Sequence, residues 1–262
     1  MSTITTKALR LQYGEKIIAE NLNLTFNKPE IVSIIGPNGS GKSTLLKSLA
    51  RLLVPTDGAV YLDGQDLKGI SMDKIARTIS VLPQSANAPG DMTVRDLVTY
   101  GRLPYQGMFS KLNDLDIRAI NKALKSTEME GLQHNRLSAL SGGERQRAWL
   151  SMALAKEPKI LLLDEPTTYL DIRHQLALME LVVDLYKTMR IIVIMVMHDL
   201  NHAARYSHRL IAVKQGKIVA DGPVTEVFRQ DILEPLYGIR AVVTTVQEEN
   251  GEYLACFPYA AV

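Results

Sequence analysis

A glycine-rich segment near the N-terminus has the composition of a loop that binds phosphate. It comprises Gly36, Pro37, Asn38, Gly39, Ser40, Gly41, Lys42, Ser43 and Thr44. Glycines let backbone N–H groups turn inward around an anion, and a helix that begins near Lys42 adds the positive end of its dipole. The lysine can reach the β- and γ-phosphates, and the Ser43 hydroxyl can bind magnesium. The segment therefore predicts a site for nucleotide phosphates.

The residues on either side of this loop have the pattern that such a loop requires. Ile31–Ile35 is a short apolar run typical of a buried strand. After the loop, leucines from Leu45 to Leu53 recur at helical spacing until Pro55 ends the predicted helix. A strand, a glycine-rich turn and a helix together form a phosphate-binding arrangement.

Two adjacent carboxylates follow a second apolar run. Residues 160–163 read Ile-Leu-Leu-Leu, and Asp164 and Glu165 come directly after them. At the carboxyl edge of a sheet, Asp164 can hold magnesium through water, and Glu165 can polarise the water that attacks a γ-phosphate. Apolar strands often end in acidic residues, so this run alone is weak evidence for a catalytic site. It becomes strong evidence because the same chain contains the phosphate loop.

A second glycine-rich loop has no lysine at the phosphate-loop position. Ser141, Gly142 and Gly143 precede a predicted helix. The free N–H groups of such a helix end and the Ser141 hydroxyl make a second anion site. The chain thus has two helix ends suited to phosphate but only one complete phosphate loop. This combination is explained if two copies of the chain complete each other's sites.

Six motifs, in this order and spacing, resemble those of ATP-binding cassette (ABC) ATPase subunits. They are the phosphate loop, Gln84, the run from Leu140 to Glu144, Asp164-Glu165, Leu170-Asp171 and His198. The resemblance covers nearly the whole chain. It implies a head-to-tail homodimer that holds two ATP molecules, each between one subunit's phosphate loop and the other's Ser-Gly-Gly segment.

The resemblance also implies roles for single residues. Tyr13 resembles the aromatic residue that stacks on adenine, although a tyrosine in a core strand is the alternative. Gln84 resembles the glutamine that touches magnesium and the attacking water. Asp171 resembles the aspartate that crosses the dimer interface, and His198 the histidine that contacts the γ-phosphate. Tyr169 stands where many members of the family have alanine.

The remaining histidines match no motif of the family. They are interpreted as surface residues, at positions 134, 174, 202 and 208.

The fold class is therefore predicted to be α/β: a P-loop NTPase core with a parallel sheet, an antiparallel β subdomain and a helical signature subdomain. The predicted segments are 1–85 for the β subdomain and the phosphate-loop part of the core, 86–157 for the helical subdomain, 158–231 for the remainder of the core and 232–262 for a C-terminal tail. The tail matches no catalytic motif.

Local patterns support this division. Apolar and polar residues alternate from Asn21 to Asn27, and strand-like runs from Ala8 to Gln84 predict an antiparallel sheet. Thr93 is a predicted helix N-cap at the start of the helical region, and a helix is predicted from about Arg173 to Lys187. In the tail, Asn250-Gly251 between two strand-like runs predicts a hairpin.

Composition limits the location and the partners. The 262 residues carry a formal charge of +2 without a long run of like charges, which gives no nucleic-acid signature. The apolar run from Ile191 to Met197 is far shorter than the roughly 20 residues of a membrane span. No signal-peptide pattern precedes the first strand, and Cys256 is the only cysteine, so a reduced cytoplasmic location is expected.

Within the family, several segments resemble the branch that serves ferric siderophore uptake. They are the runs from Met92 to Val98, from Gly101 to Tyr105 and from Glu165 to Ile172, together with His174-Gln175. This implies a peripheral protein on the cytoplasmic face of the inner membrane, bound to integral membrane permease subunits and served indirectly by a substrate-binding protein. Haem and cobalamin importers are near relatives and remain alternatives.

Two other classes of protein are less consistent with the sequence. Soluble ABC ATPases of DNA repair insert a long coiled coil before the signature, and the interval between Lys42 and Ser141 does not accommodate one. Ribosome-acting relatives usually carry two cassettes in one chain. A GTPase or small-molecule kinase would leave Ser141-Gly142-Gly143 unused, and an Asn-Lys-x-Asp guanine-reading motif is not found.

Overall fold

The computed structural model describes residues 2–84, 88–89, 91–106, 111–248 and 251–262. The strands are β1 (Ile4–Tyr13), β2 (Lys16–Phe26), β3 (Ile31–Ile35), β4 (Asp57–Leu62), β5 (Gln65–Asp66), β6 (Ile79–Leu82), β7 (Ile160–Asp164), β8 (Ile192–Val196), β9 (Arg209–Lys214), β10 (Lys217–Pro223), β11 (Ile239–Glu248) and β12 (Gly251–Ala261). The helices are α1 (Lys42–Leu49), α2 (Met72–Thr78), α3 (Val94–Tyr100), α4 (Asp114–Ser126), α5 (Gly142–Ala155), α6 (Ile172–Met189), α7 (Leu200–Tyr206), α8 (Val224–Val227) and α9 (Gln230–Tyr237).

The chain divides into two compact units. The first consists of Met1–Gly69 and Ile192–Val262, and the second of Ile70–Ile191. The α/β class with parallel and antiparallel sheets and a helical part is confirmed. The finer division at positions 85/86, 157/158 and 231/232 stays a prediction, and residues 85 and 86 lie outside the described ranges.

The first unit contains an antiparallel sheet with the strand order β2-β1-β4-β5. The alternation predicted around Asn21 to Asn27 is confirmed, since Leu22, Leu24 and Phe26 are buried and the polar residues between them, Asn23 and Thr25, are exposed. This is the burial pattern of a sheet with one face on the core and the other in solvent.

The parallel strands of the first unit position the phosphate loop. β3 pairs in parallel with β8 on one side and with β9 on the other. Every residue of β3 and of β8 is buried, as expected for strands that are covered on both faces. The predicted order of buried strand, glycine-rich loop and helix is confirmed, because the loop runs directly from β3 into α1.

Two boundaries predicted from the sequence are wrong. α1 ends at Leu49 rather than near Pro55, because Arg51 has a left-handed φ of 57° and Leu52 turns to solvent. The antiparallel strands end at Asp66 rather than near Gln84, since α2 and β6 follow and β6 pairs in parallel with β7. A short apolar run such as β6 carries no local signal for the direction of its partner.

The helical region of the second unit begins where the sequence predicts. Thr93 caps α3: its Oγ1 accepts from the Asp96 N–H at 3.1 Å, and the Asp96 carboxylate accepts from the Thr93 N–H at 3.1 Å. The Thr93 hydroxyl, which donates to the Asp96 carboxylate at 2.6 Å, and the Thr93 N–H together lower the pKa of the Asp96 carboxyl. Helices α3 and α4 both pack on α5, and α6 spans the helix predicted from about Arg173 to Lys187.

The C-terminal hairpin is confirmed in its strands. β11 and β12 pair antiparallel, ending at the pair Glu248 and Gly251, while the predicted turn residue Asn250 lies outside the described residues. Among the helices that the structure describes, none is both long enough and apolar enough to cross a bilayer.

A buried arginine joins the helices of the second unit. Arg102 is 4% exposed, and its Nε donates to Asp116 Oδ1 at 2.9 Å. Its Nη1 donates to the Ala155 carbonyl at 2.6 Å and to Glu157 Oε2 at 3.1 Å, and the guanidinium carbon lies 3.9 Å from the centre of the Tyr105 ring. Burial raises the pKa of the Asp116 carboxyl, but the hydrogen bonds from Asn113 and Arg102 leave it below its ordinary value.

We expect Arg102→Met to lower the free energy of unfolding by about 3–5 kcal/mol, because it leaves the Asp116 carboxylate buried without its charged partner. Urea denaturation at pH 7 measures this loss, and Arg118→Met on the exposed face of α4 is the matched control. Arg102→Met combined with Asp116→Leu should recover most of the loss.

The pH dependence tests the same interaction. Because the folded-state pKa of Asp116 is depressed, the stabilisation from this carboxylate is present above the unfolded-state pKa of about 3.9 and is lost as the pH falls through the folded-state value. As the pH is lowered from 5 into the acid range, the free energy of unfolding should therefore fall less in Arg102→Met than in the wild type. Equal losses in both proteins would contradict this account.

Candidate functional site

The phosphate loop occupies the turn between β3 and α1 in the first unit. Its first glycine, Gly36, has a φ of 147°, and a Cβ built on it would lie 2.0 Å from the Val213 carbonyl oxygen of β9. No other residue fits there without moving the backbone of β9. The close approach of two parallel strands therefore fixes where the loop begins.

Lys42 lies inside the loop. It is 5% exposed, and its Nζ donates to the carbonyl oxygens of Gly36 at 2.7 Å and Pro37 at 3.0 Å. The N-cap of α1 is Gly41, with a φ of 103° and no side-chain capping bond, so the first amides of the helix are not covered by a capping side chain. A helix end of this kind favours an anion.

A buried hydroxyl supports the same ligand chemistry. Ser40 is 3% exposed, and within the described residues its Oγ has no hydrogen-bond partner. An unpaired buried hydroxyl is unfavourable unless a ligand or water satisfies it. The buried ammonium, the uncapped helix end and this hydroxyl form a donor set that fits nucleotide phosphates.

The other candidates of the first unit lie at strand ends and on α1. Tyr13, the last residue of β1, is 49% exposed, so its ring is not in the core. His198 follows β8 and is exposed. Ser43 and Thr44 are partly buried in the first turn of α1.

The second unit brings Gln84 and Glu165 together. β6 and β7 are neighbouring parallel strands, so their carboxyl ends lie side by side. Gln84 follows β6, and its Nε2 donates to Glu165 Oε2. The Thr168 hydroxyl donates to the same oxygen at 3.3 Å, and Asp164, the last residue of β7, is 6% exposed. The two side chains predicted to handle the attacking water are thus hydrogen-bonded to each other.

Ser141 is engaged rather than free. It caps α5, and both its N–H and its hydroxyl donate to Glu144 Oε2 at 2.8 Å. The Glu144 N–H in turn donates to Ser141 Oγ at 3.3 Å. These bonds from Ser141 lower the pKa of Glu144, so the carboxylate stays charged. Ser141 and Glu144 thus form a capping box, and the predicted anion site at this helix end stays a prediction.

Asp171 and the second glycine loop share a neighbour, His174. Asp171 caps α6, accepting from the His174 N–H at 2.9 Å and lying 2.7 Å from His174 Nδ1. These bonds lower the pKa of the Asp171 carboxyl. A Cβ built on Gly143 would lie 2.4 Å from His174 Cδ2, so the imidazole occupies the space that a side chain at position 143 would need.

The interpretation of four histidines as surface residues holds for His134 and His208, which are exposed. It is wrong for His174, which packs against Gly143, and for His202, which is partly buried. One nitrogen of the His208 ring is engaged, since Nδ1 accepts from the Ile31 N–H at 3.0 Å. Burial lowers the pKa of His208, which suits its role as a neutral acceptor at the start of β3. The sequence does not reveal the contact of His174 with Gly143 or the bond of His208 with Ile31, because these partners are distant in the sequence.

The turn between Glu165 and Asp171 is held by two glutamines that the sequence analysis did not single out as site residues. Gln146 of α5 donates to the Pro166 carbonyl at 3.1 Å, and Gln175 of α6 donates to the Leu170 carbonyl at 2.9 Å. In this turn Glu165 and Tyr169 have left-handed φ values of 51° and 67°. Tyr169 is 89% exposed, which shows that the bulky side chain is accommodated without burial.

The candidate magnesium ligands are one hydroxyl, one amide and one carboxylate. Ser43 belongs to the first unit, and Gln84 and Asp164 belong to the second. In the part of the chain that the structure describes, no group of three or more His, Cys, Asp or Glu residues could hold a metal. Each of these donor types is one that Mg²⁺ accepts, because the ion takes oxygen ligands and usually keeps water and substrate phosphates in its shell.

Comparison with known proteins decides the family. The model of the ABC transporter family matches residues 19–168. The chain belongs to the ABC transporter family. This ABC cassette is 45% identical over 250 residues to the iron(3+)-hydroxamate import ATP-binding protein FhuC of Bacillus subtilis, which covers 95% of this chain and 93% of the relative. It is 45% identical over 235 residues to the ferric enterobactin transport ATP-binding protein FepC of Escherichia coli, with coverages of 90% and 87%.

Solved structures agree with this assignment. The cassette matches a metal-chelate type ABC transporter in an inward-facing conformation with a TM-score of 0.86 and 25% identity, over 99% of this chain and 98% of the other. It matches the dimeric ABC transporter cassette MJ0796 with a TM-score of 0.73 and 32% identity, over 84% and 98%. The chain is thus an ABC-type, ATP-binding ATPase cassette with the P-loop NTPase fold.

The contact between Gly143 and His174 predicts how two substitutions combine. We expect Gly143→Ala to lower the free energy of unfolding by about 1–3 kcal/mol, because the new Cβ overlaps the imidazole. In a His174→Ala background the same change should cost less or should stabilise α5, since alanine is the better helix former. Thermal unfolding of the four proteins of this double-mutant cycle measures the coupling, and additive effects would contradict the overlap.

Proposed function

We propose that this cassette is the ATP-hydrolysing subunit of an importer for a ferric siderophore. The observation that carries the proposal is similarity over nearly the full length of the chain to two ATP-binding proteins named for iron-chelate import, FhuC and FepC. MgATP binding and hydrolysis in a head-to-tail dimer would drive uptake through separate integral membrane permease subunits.

ATP binding is assigned to the phosphate loop and Tyr13. The buried Lys42 ammonium and the Ser40 hydroxyl supply donors for the phosphates, and the exposed Tyr13 ring supplies a stacking face for adenine. The proposed phosphate-contacting residues are Gly36, Pro37, Asn38, Gly39, Ser40, Gly41, Lys42, Ser43 and Thr44.

Magnesium is assigned to Ser43, Gln84 and Asp164. Their hydroxyl, amide and carboxylate oxygens are ligands that Mg²⁺ accepts. When bound, the ion neutralises charge on the β- and γ-phosphate oxygens.

Hydrolysis is assigned to Glu165, assisted by Gln84, Lys42 and His198. The Glu165 carboxylate accepts hydrogen bonds from Gln84 and Thr168, which fix its orientation. A carboxylate held in this way can accept a proton from the attacking water. By resemblance to the family, the exposed His198 contacts the γ-phosphate and Lys42 stabilises the charge that develops on it.

The second half of each site is assigned to the partner copy. Ser141, Gly142 and Gly143 would contact the nucleotide of the other subunit, and Asp171 would cross the interface. The exposed side chains of Tyr169, at 89%, and Ile172, at 75%, offer apolar surface next to Asp171 for such an interface. For its hydroxyl to reach a phosphate, Ser141 has to give up its bond to Glu144.

The location and the remaining partners follow from the importer assignment. We place the dimer on the cytoplasmic face of the inner membrane, with permease subunits docked on the helical region and a substrate-binding protein acting indirectly through them. A haem or cobalamin importer is the alternative cargo class, and a soluble non-transport ABC ATPase is the alternative outside transport.

Glu165→Gln tests the hydrolytic assignment. The substitution keeps the side-chain shape but removes the proton acceptor, so steady-state ATP hydrolysis should fall at least a hundredfold while ATP still binds. An ATP-bound dimer should accumulate in size-exclusion chromatography. Glu180→Gln on the exposed face of α6 is the control and should behave as wild type. Unchanged turnover of Glu165→Gln would exclude this role.

The cargo is tested with the complete transporter. The chain is reconstituted with its permease subunits and binding protein in liposomes, and ATP turnover is measured with ferric hydroxamate, ferric catecholate, haem or cobalamin. We expect a ferric siderophore to stimulate turnover severalfold over the unloaded transporter. Stimulation by haem or cobalamin without any response to ferric chelates would overturn the siderophore proposal.

A further inference from the structure

The C-terminal segment of α9 and the β11–β12 hairpin reaches the phosphate loop. α9 is fixed on β9, where Lys214 Nζ donates to the Pro235 carbonyl. It is followed by its C-cap, Gly238, whose N–H donates to the Glu234 carbonyl at 2.8 Å. Gly238 has a left-handed φ of 67°, the usual conformation of a helix C-terminus. Tyr237, the last residue of α9, is therefore held in a defined place.

The Tyr237 hydroxyl accepts a hydrogen bond from the Gly36 N–H at 2.8 Å. The tyrosine is partly buried, and burial raises its pKa far above the physiological range, so the hydroxyl stays neutral. The carbonyl of the same glycine accepts from Lys42 Nζ at 2.7 Å. Both peptide groups of the residue that opens the loop are thus fixed by side chains.

The same C-terminal segment also contacts the helix that follows His198. Asn201 Oδ1 of α7 accepts from the Cys256 N–H of β12 at 2.7 Å, and Arg205 Nη2 donates to Glu248 Oε2 of β11 at 2.7 Å. α7 begins two residues after His198. The C-terminal segment thus contacts both the phosphate loop and the helix that follows His198.

We propose that Tyr237 is a positioning residue that holds the first turn of the phosphate loop in its binding conformation, so that nucleotide affinity depends on the C-terminal segment. The inference rests on the proposed role of the loop in ATP binding. Without the hydroxyl, the Gly36 N–H loses its acceptor and the loop can relax, so binding must then restore its conformation.

Tyr237→Phe tests the proposal with ADP as the probe, since ADP occupies the phosphate loop of a single subunit. Isothermal titration calorimetry with ADP and Mg²⁺ should give a Kd about threefold to thirtyfold higher than that of the wild type. In ATP hydrolysis the variant should show a KM raised by a similar factor and a kcat within about twofold of wild type, because Glu165 and His198 are untouched. Tyr259→Phe, in the same segment but 66% exposed, is the control.

Hydrogen exchange in nucleotide-free protein distinguishes a positioning role of Tyr237 at the loop from a general contribution to the stability of the fold. The Gly36 amide should exchange faster in Tyr237→Phe than in the wild type or Tyr259→Phe, while amides of β3 keep their protection. In the wild type, ADP should slow exchange at the Gly238 amide, a measurement that does not need the variant.

The outcomes separate this inference from the proposed function. If the wild type binds no nucleotide, the assignment of the loop is wrong. If the wild type binds ADP but Tyr237→Phe shows wild-type affinity and wild-type exchange at Gly36, or if ADP leaves exchange at Gly238 unchanged, the positioning role of Tyr237 is wrong while the nucleotide site stands.

Discussion

A loop that binds phosphate must leave some hydrogen-bond donors without protein partners. The contacts around the loop in this fold keep it in place in spite of that cost. Ser40 has a buried hydroxyl without a partner among the described residues, and α1 begins without a capping side chain. Such groups are unfavourable in the absence of ligand. The loop is held by contacts that leave these donors available: Val213 crowds Gly36 from β9, and Lys42 and Tyr237 bind the two sides of Gly36.

The second unit meets a different requirement, since the groups proposed for hydrolysis and for the dimer interface come from several of its helices and strands. The carboxyl ends of β6 and β7 bring Gln84 to Glu165. Arg102 ties α4 and the end of α5 to the segment after α3. Arg102 lies in a run whose sequence resembles the siderophore branch, and its observed contacts are internal to the unit. At least one residue of the run that resembles the siderophore branch therefore serves the packing of the helices.

The features that the sequence predicts correctly are local ones. The phosphate loop between strand and helix, the Thr93 cap and the C-terminal hairpin each depend on residues within one turn or on adjacent elements. Local propensity and side-chain periodicity carry that information. The sequence does not mark the end of α1, because the leucine spacing continues past Leu49 after the backbone has left the helix.

The features that the sequence does not reveal depend on distant contacts. Gly36 and Tyr237 are 201 positions apart, and no local pattern distinguishes Tyr237 from other tyrosines of the chain. His174 is close to Gly143 because α5 packs on α6. The bond between Ser141 and Glu144 is local, and the capping-box pattern of Ser and Glu three residues apart was available as its signal.

The turn between Glu165 and Asp171 stores free energy in its backbone. Each non-glycine residue in the left-handed region costs about 1–2 kcal/mol, and Glu165 and Tyr169 both adopt it. The amides of Gln146 and Gln175 hold the turn in this state. The carboxylate proposed to act in hydrolysis therefore stands on a strained backbone segment whose geometry depends on contacts from two neighbouring helices.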